Sequence, residues 1–156
     1  MWPFSRRQKD LNLLPSVCPD VHKWSVAESN VDGSRLIVRL NSSAREWVGH
    51  KALVIKLGFA VPLNAPNEHG LPCPDENSQL NEIEDVILRE VAAKTKGILV
   101  LVLTTRAMRE FVFYITADAD IATIHGAIRG KVTTHEVQCM AETDPKWAAF
   151  TQLTRV

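Results

Sequence analysis

The chain has 156 residues, 46% of them hydrophobic and 23% charged, with 18 Lys and Arg balanced by 18 Asp and Glu. That length suits one domain with a sizeable core, and that composition excludes a disordered chain. Zero net charge removes the electrostatic argument for nucleic acid, an anionic membrane surface or a polyacidic partner.

In chain order, residues 1–20 show no sustained hydrophobic period and read as an N-terminal arm. The apolar residues Trp2 and Phe4 precede the positive charges Arg6, Arg7 and Lys9, the reverse of a secretory signal. No run approaches the ~20 apolar residues of a membrane span. Cys18, Cys73 and Cys139 lie far apart in no C-x-x-C spacing, which fits free thiols in a reducing compartment. The expected location is the cytoplasm.

The single domain is expected over 21–156. Segments 22–30 and 35–40 flank Asp32-Gly33, a strong hairpin signal, giving a hairpin over 22–41. Residues 42–50 form a connector with one helical turn. The alternation in Ala52–Val61 predicts a strand, and a Pro/Asn/Gly-rich loop runs from Pro62 to Cys73. A long helix then opens on Pro74, Asp75 and Glu76 and closes with Lys94, Lys96 and Gly97. Leu80, Ile83, Ile87, Leu88 and Val91 form its apolar stripe, and at 1.5 Å per residue it extends about 33 Å. Apolar strands follow at Ile98–Leu103 and Phe111–Ile115. A second helix spans 118–129, ended by Gly130, and a last strand lies near 133–140.

The order strand, helix, strand, strand, helix, strand over 51–141 predicts an α+β fold. It is the ferredoxin-like split βαβ core, βαββαβ, an antiparallel sheet with two helices on one face. The N-terminal β-hairpin precedes this core and a C-terminal helical turn, 144–154, follows it. In that arrangement 98–103 is an edge strand, yet it is apolar on both faces and would aggregate if left bare. Either the hairpin covers it or a second subunit does. The opposite sheet face is also too apolar to stay wet, so a second layer is required. If the hairpin packs on or beside the sheet, at least one of Trp24 and Trp47 is largely buried.

Three patches carry a resemblance. They are Gly70-Leu-Pro72 followed by Leu80-Asn-Glu-Ile-Glu-Asp85, then Arg109-Glu-Phe-Val-Phe-Tyr114, then Asp144-Pro-Lys-Trp147 with Phe150. In order and spacing they resemble the bacterial family numbered 695 among domains of unknown function, over roughly residues 22–153. The resemblance implies a small α+β cytoplasmic protein. Related chains are sometimes fused to a domain similar to the ribonuclease E regulator B family, which implies a regulatory, protein-binding role.

Chemical constellations are sparse. His69 and Cys73 stand four apart, while His125, His135 and Cys139 lie elsewhere. Zinc needs four converging ligands in tight pairs, so no metal and no cofactor is expected. Cys139 reads as a core residue and His135 as a half-exposed strand residue. On the long helix, Glu82, Asp85 and Glu90 project away from the stripe, but Glu84 falls inside it and needs a cation, with Arg106, Arg109 or Lys56 as candidates. No nucleophile motif or phosphate loop occurs, so no catalytic residue is assigned. Residues 109–114 sit where RNA-recognition motifs carry aromatics, but the glycine and the second aromatic of that motif are missing. Phe111 and Phe113 are expected in the helix-packed core and Tyr114 on the other face. Asp144-Pro145 reads as an N-cap with proline at the first helical position, and Trp147 with Phe150 as docking aromatics or a partner hook.

The leading expectation is a non-catalytic interaction or regulatory module, self-associating as a homodimer through an apolar sheet edge or face, or binding another protein. The alternative is a small hydrolase or ligand-binding domain. Its site would lie where the 62–73 loop meets the 104–109 turn, using His69, Arg106, Arg109 and Glu110. Candidate contacts across both readings are His69, Glu84, Arg106, Arg109, Glu110 and Trp147.

Overall fold

The computed structural model describes residues 22–154 together with Leu14, Pro15 and Val17, so the expected arm lies almost wholly outside the described residues. Asp32 and Gly33 both adopt left-handed backbone angles, φ 52° and 82°, as a two-residue hairpin turn requires. They join β1 (Trp24–Val31) to β2 (Ser34–Asn41). A 3-10 helix, Ser42–Trp47, follows, with the Asn41 side chain accepting from the Ser43 amide. Then come β3 (Ile55–Pro62), α1 (Pro74–Lys94), β4 (Gly97–Thr105), β5 (Met108–Ile115), α2 (Ile121–Lys131), β6 (Gln138–Thr143) and the short α3 (Ala148–Leu153).

The strands make one six-stranded antiparallel sheet in the order β1-β2-β4-β5-β3-β6. The class is α+β, and the sheet is larger than a four-stranded core. Its extra strands come from the hairpin, because Ile37–Leu40 of β2 pair with Leu101–Thr104 of β4. The apolar strand that needed a cover is therefore bordered by its own chain. Its register against β5 shifts between Leu99 and Leu101. Val100 is the bulged residue, and it joins Ile98 and Leu101 on one face while Leu99 and Val102 pack on the other. Both faces are covered, so the strand is apolar at successive positions.

One face packs the two long helices: Leu80, Ile83 and Ile87 of α1 and Ile124 and Ile128 of α2 meet Phe59, Phe111 and Phe113. On the other face Ile98, Val100, Val112 and Tyr114 meet Ala44, Leu53, Trp147 and Phe150. The required second layer is thus the 3-10 helix, Leu53 and the C-terminal segment. Phe111 and Phe113 face the helices and Tyr114 the other side, as alternation dictates.

Several element ends differ from expectation. α1 stops at Lys94, and Gly97 is a buried β4 residue where a Cβ would collide with the Tyr114 carbonyl oxygen. Gly97 therefore permits close strand approach instead of closing the helix. Gly130 lies inside α2, which runs to Lys131. β6 begins at Gln138, leaving His135 in the preceding loop, where it is buried. Trp24 and Trp47 are each only partly buried, and among the described residues the fully buried tryptophan is Trp147.

Candidate functional site

The inward face of α1 mixes its apolar stripe with three buried carboxylates: Glu76 (4% exposed), Glu84 (9%) and Glu90 (7%). Carboxylates go inside only when paired. Glu76 accepts from the backbone amides of Asn64 and Ala65, and from His135 Nε2 at 2.7 Å. Burial alone would raise its pKa, but those three donors outweigh it and hold the carboxyl below the usual range. The site pins the start of the 62–73 loop and the approach to β6 onto the first turn of α1. Glu90 binds Lys94 (2.7 Å) and Lys131 (2.9 Å), which together hold it down to about 2 and tie α1 to α2. Neither role was legible in the sequence: Glu90 was expected to project away from the stripe, and His135 and Lys131 arrive from distant segments, Lys94 alone being local.

Glu84 is the carboxylate that the stripe pattern singled out. Its partner is none of the three cations expected. Arg39 on β2 forks onto both oxygens, Nη1 to Oε1 at 3.0 Å and Nη2 to Oε2 at 2.7 Å. The Arg39 guanidinium also lies 5.3 Å over the Trp24 ring. Lys56 pairs with Glu142, and Arg106 with Asp32 of the hairpin turn. Only the appended hairpin brings Arg39 over α1, which is why a reading of the core alone missed it.

Arg109 lies beside this pair and is 9% exposed. It enters the helix-bearing face from the second residue of β5. Its Nε donates to Thr104 Oγ1 at 2.9 Å and its Nη2 to Asn77 Oδ1 at 3.0 Å. Among the described residues it forms no ion pair with a carboxylate. Burial lowers its pKa, the Arg39 charge lowers it further, and Glu84 restores part. Arg39, Glu84 and Arg109 thus carry two positive charges and one negative, in a place where an uncompensated charge costs on the order of several kcal/mol.

The 62–73 loop does meet the 104–109 turn. Ala107 N donates to Gly70 O and Leu63 N to Ala107 O, and a Cβ on Gly70 would crowd the Ala107 amide. The four side chains proposed there do not converge. His69 is exposed beside Glu68, Arg106 reaches the hairpin turn, and Arg109 and Glu110 point to opposite faces of the sheet. Trp147 is 0% exposed, so it is a core residue and no surface hook. Its ring stacks on Tyr114 at 4.1 Å, and its Nε1 donates to Leu53 O. The Tyr114 hydroxyl donates to Asp144 at 2.7 Å, and burial followed by that carboxylate drives the tyrosine pKa upward. Asp144 also accepts from the amides of Ala148 and Ala149. The expected N-cap is corrected in detail, because Trp147 holds that position in left-handed backbone.

The second sheet face is only half covered. One recess of about 350 Å³ is lined by Gly58, Ala60, Met108, Glu110 and Met140, among others. Another of about 510 Å³, over β1 and β2, includes Ala27, Leu36, Val38, Arg45 and Leu153. Among the described residues no group of three or more His, Cys, Asp or Glu side chains is placed to hold a metal ion. No helix there is long and apolar enough to cross a membrane.

These features define a small α+β domain whose long helix is clamped to an antiparallel sheet by buried ion pairs. The chain belongs to the Family of unknown function (DUF695), whose model matches residues 22–154. The three patches now have physical roles: Gly70 allows the loop to touch the β4–β5 turn, Glu84 takes Arg39, and Asp144 with Trp147 clasps Tyr114. No curated protein and no solved structure matches the chain.

Proposed function

We propose that this protein is a non-catalytic, cytoplasmic interaction module that associates with a second copy of itself. Its core is read as ferredoxin-like, β3-α1-β4-β5-α2-β6, with the hairpin appended beyond β4. The observation that carries the reading is the half-covered sheet face. Met140 is 68% exposed beside the small residues Gly58 and Ala60, leaving a shallow apolar trough instead of a polar surface. Glu110 lines the recess at one side of that face and Arg45 the recess at the other. A two-fold axis between them sets the carboxylate of each copy against the guanidinium of its mate. A net charge of zero adds no long-range repulsion between copies.

Light scattering on the purified chain tests this. The expected result is a dimer mass, converted to a monomer by Ala60→Arg with little change in melting temperature. A monomer mass at the highest soluble concentration sinks the proposal. The alternative, a small hydrolase or ligand-binding domain near the 104–109 turn, is favoured by one observation only: Arg109 is buried there without a carboxylate partner. Turnover lost in Arg109→Ala at unchanged stability would select it.

A further inference from the structure

We infer that Arg109 is the core of a binding site for a small carboxylate, a reading independent of self-association. Arg109 has unused hydrogen-bond capacity. A guanidinium carries five N–H groups, and Arg109 uses two of them, on the neutral oxygens of Thr104 and Asn77. Three have no protein acceptor among the described residues. Among the described residues the one sealed polar side-chain atom without a partner is Thr105 Oγ1, so no nitrogen of Arg109 is of that kind. The Nη1 amine, which also has no protein acceptor, therefore keeps some contact with solvent, and that is the side from which an anion would approach.

Charge points the same way. The neighbouring carboxylate is forked on both oxygens by Arg39 and accepts no hydrogen bond from Arg109, whose donors go to Thr104 and Asn77. The surplus of the trio is one positive charge. Thr104 and Asn77 fix the plane of the guanidinium, and a fixed planar fork matches the two coplanar oxygens of a carboxylate. Asn77 belongs to the first turn of α1, so the positive end of a 21-residue helix lies beside the same place. A single charge and a planar fork together favour a monoanionic carboxylate over a dianionic phosphate.

The test follows the Arg109 Nε–H resonance by NMR during titration with sodium acetate, sodium phosphate or sodium chloride at constant ionic strength. The expected result is a saturable shift with acetate and none with chloride. Affinity should then track the charge of the trio. Glu84→Gln, which raises the surplus to two, should tighten acetate binding by at least about tenfold. Arg39→Gln frees Glu84 to neutralise Arg109 and should abolish binding, as should Arg109→Gln, followed through the Asn77 side-chain amide. Equal, unsaturable shifts with all three salts in the wild-type protein overturn the site. Saturation by phosphate alone overturns the carboxylate assignment. Acetate binding that survives Arg39→Gln unchanged overturns the charge argument. Self-association is read separately, by mass, and neither result decides the other.

Discussion

Glu76 and Glu84 are carboxylates on one helix, two turns apart, both nearly sealed from water, yet their surroundings differ. At Glu76 every contact is complementary: two backbone amides and one imidazole converge on one carboxylate. At Glu84 two arginines compete for one carboxylate, and the one that loses stays buried. A balanced site fastens a loop and asks for nothing more. An unbalanced one is held in place by the fold and leaves a charge for something outside the chain to meet.

Substitutions can break this contrast. The largest effect is expected at Glu76→Ala, which strands two amides and His135; urea unfolding should show a loss of about 3–5 kcal/mol. Arg39→Ala removes a cation that is partly solvent-exposed and should cost less, about 1–3 kcal/mol. Arg109→Gln should change stability by less than about 1 kcal/mol in either direction, because the lost hydrogen bonds are offset by relief of a buried charge. A loss at Arg109 as large as at Glu76 would erase the distinction between the two sites.

Acid sharpens it. Glu76 and Glu90 titrate below their unfolded values, Glu90 at about 2. Their stabilisation is complete above the unfolded carboxylate range, about pH 4.3, and drains away as pH falls through the folded values. Thermal melts from pH 6 to pH 2, both about the limits of that window, should show this decline. Glu76→Gln should flatten it and Arg109→Gln should leave its slope intact. A further small effect has the opposite sign. Ala107 sits in left-handed backbone at φ 62°, so Ala107→Gly should stabilise by about 0.5–1 kcal/mol.

Much of the architecture was legible because it rests on local signals. Asp32-Gly33 dictated its hairpin, and the spacing of Leu80, Ile83 and Ile87 dictated the buried face of α1. Glu84 stood out because a carboxylate in an apolar stripe must have a partner. The partner itself was not legible: Arg39 reaches α1 only because β2 docks on β4, a pairing made across 60-odd residues by backbone geometry that no short motif records. Gly97 misled for a related reason. Its position after a helix matched a local closing signal, but the requirement it meets is tertiary, the close passage of β5. Trp147 was open to two readings, docking aromatic or partner hook, because an aromatic in a short helical turn carries no sign of whether the sheet has room to receive it; the structure selects docking.

The clasp formed by Asp144, Trp147 and Tyr114 has a consequence for biosynthesis. Synthesis delivers the hairpin ahead of the other strands, and the residues that roof the second sheet face, Trp147 and Phe150, leave the ribosome only after every strand of that sheet. Until they do, Ile98, Val100 and Tyr114 form an apolar surface with only part of its cover. The order of emergence therefore sets a vulnerable interval, in which a nascent chain holds a nearly finished sheet and no lid. A nascent chain halted with β6 outside the ribosome and Trp147 still inside it should bind chaperones, and one halted with Phe150 outside should release them.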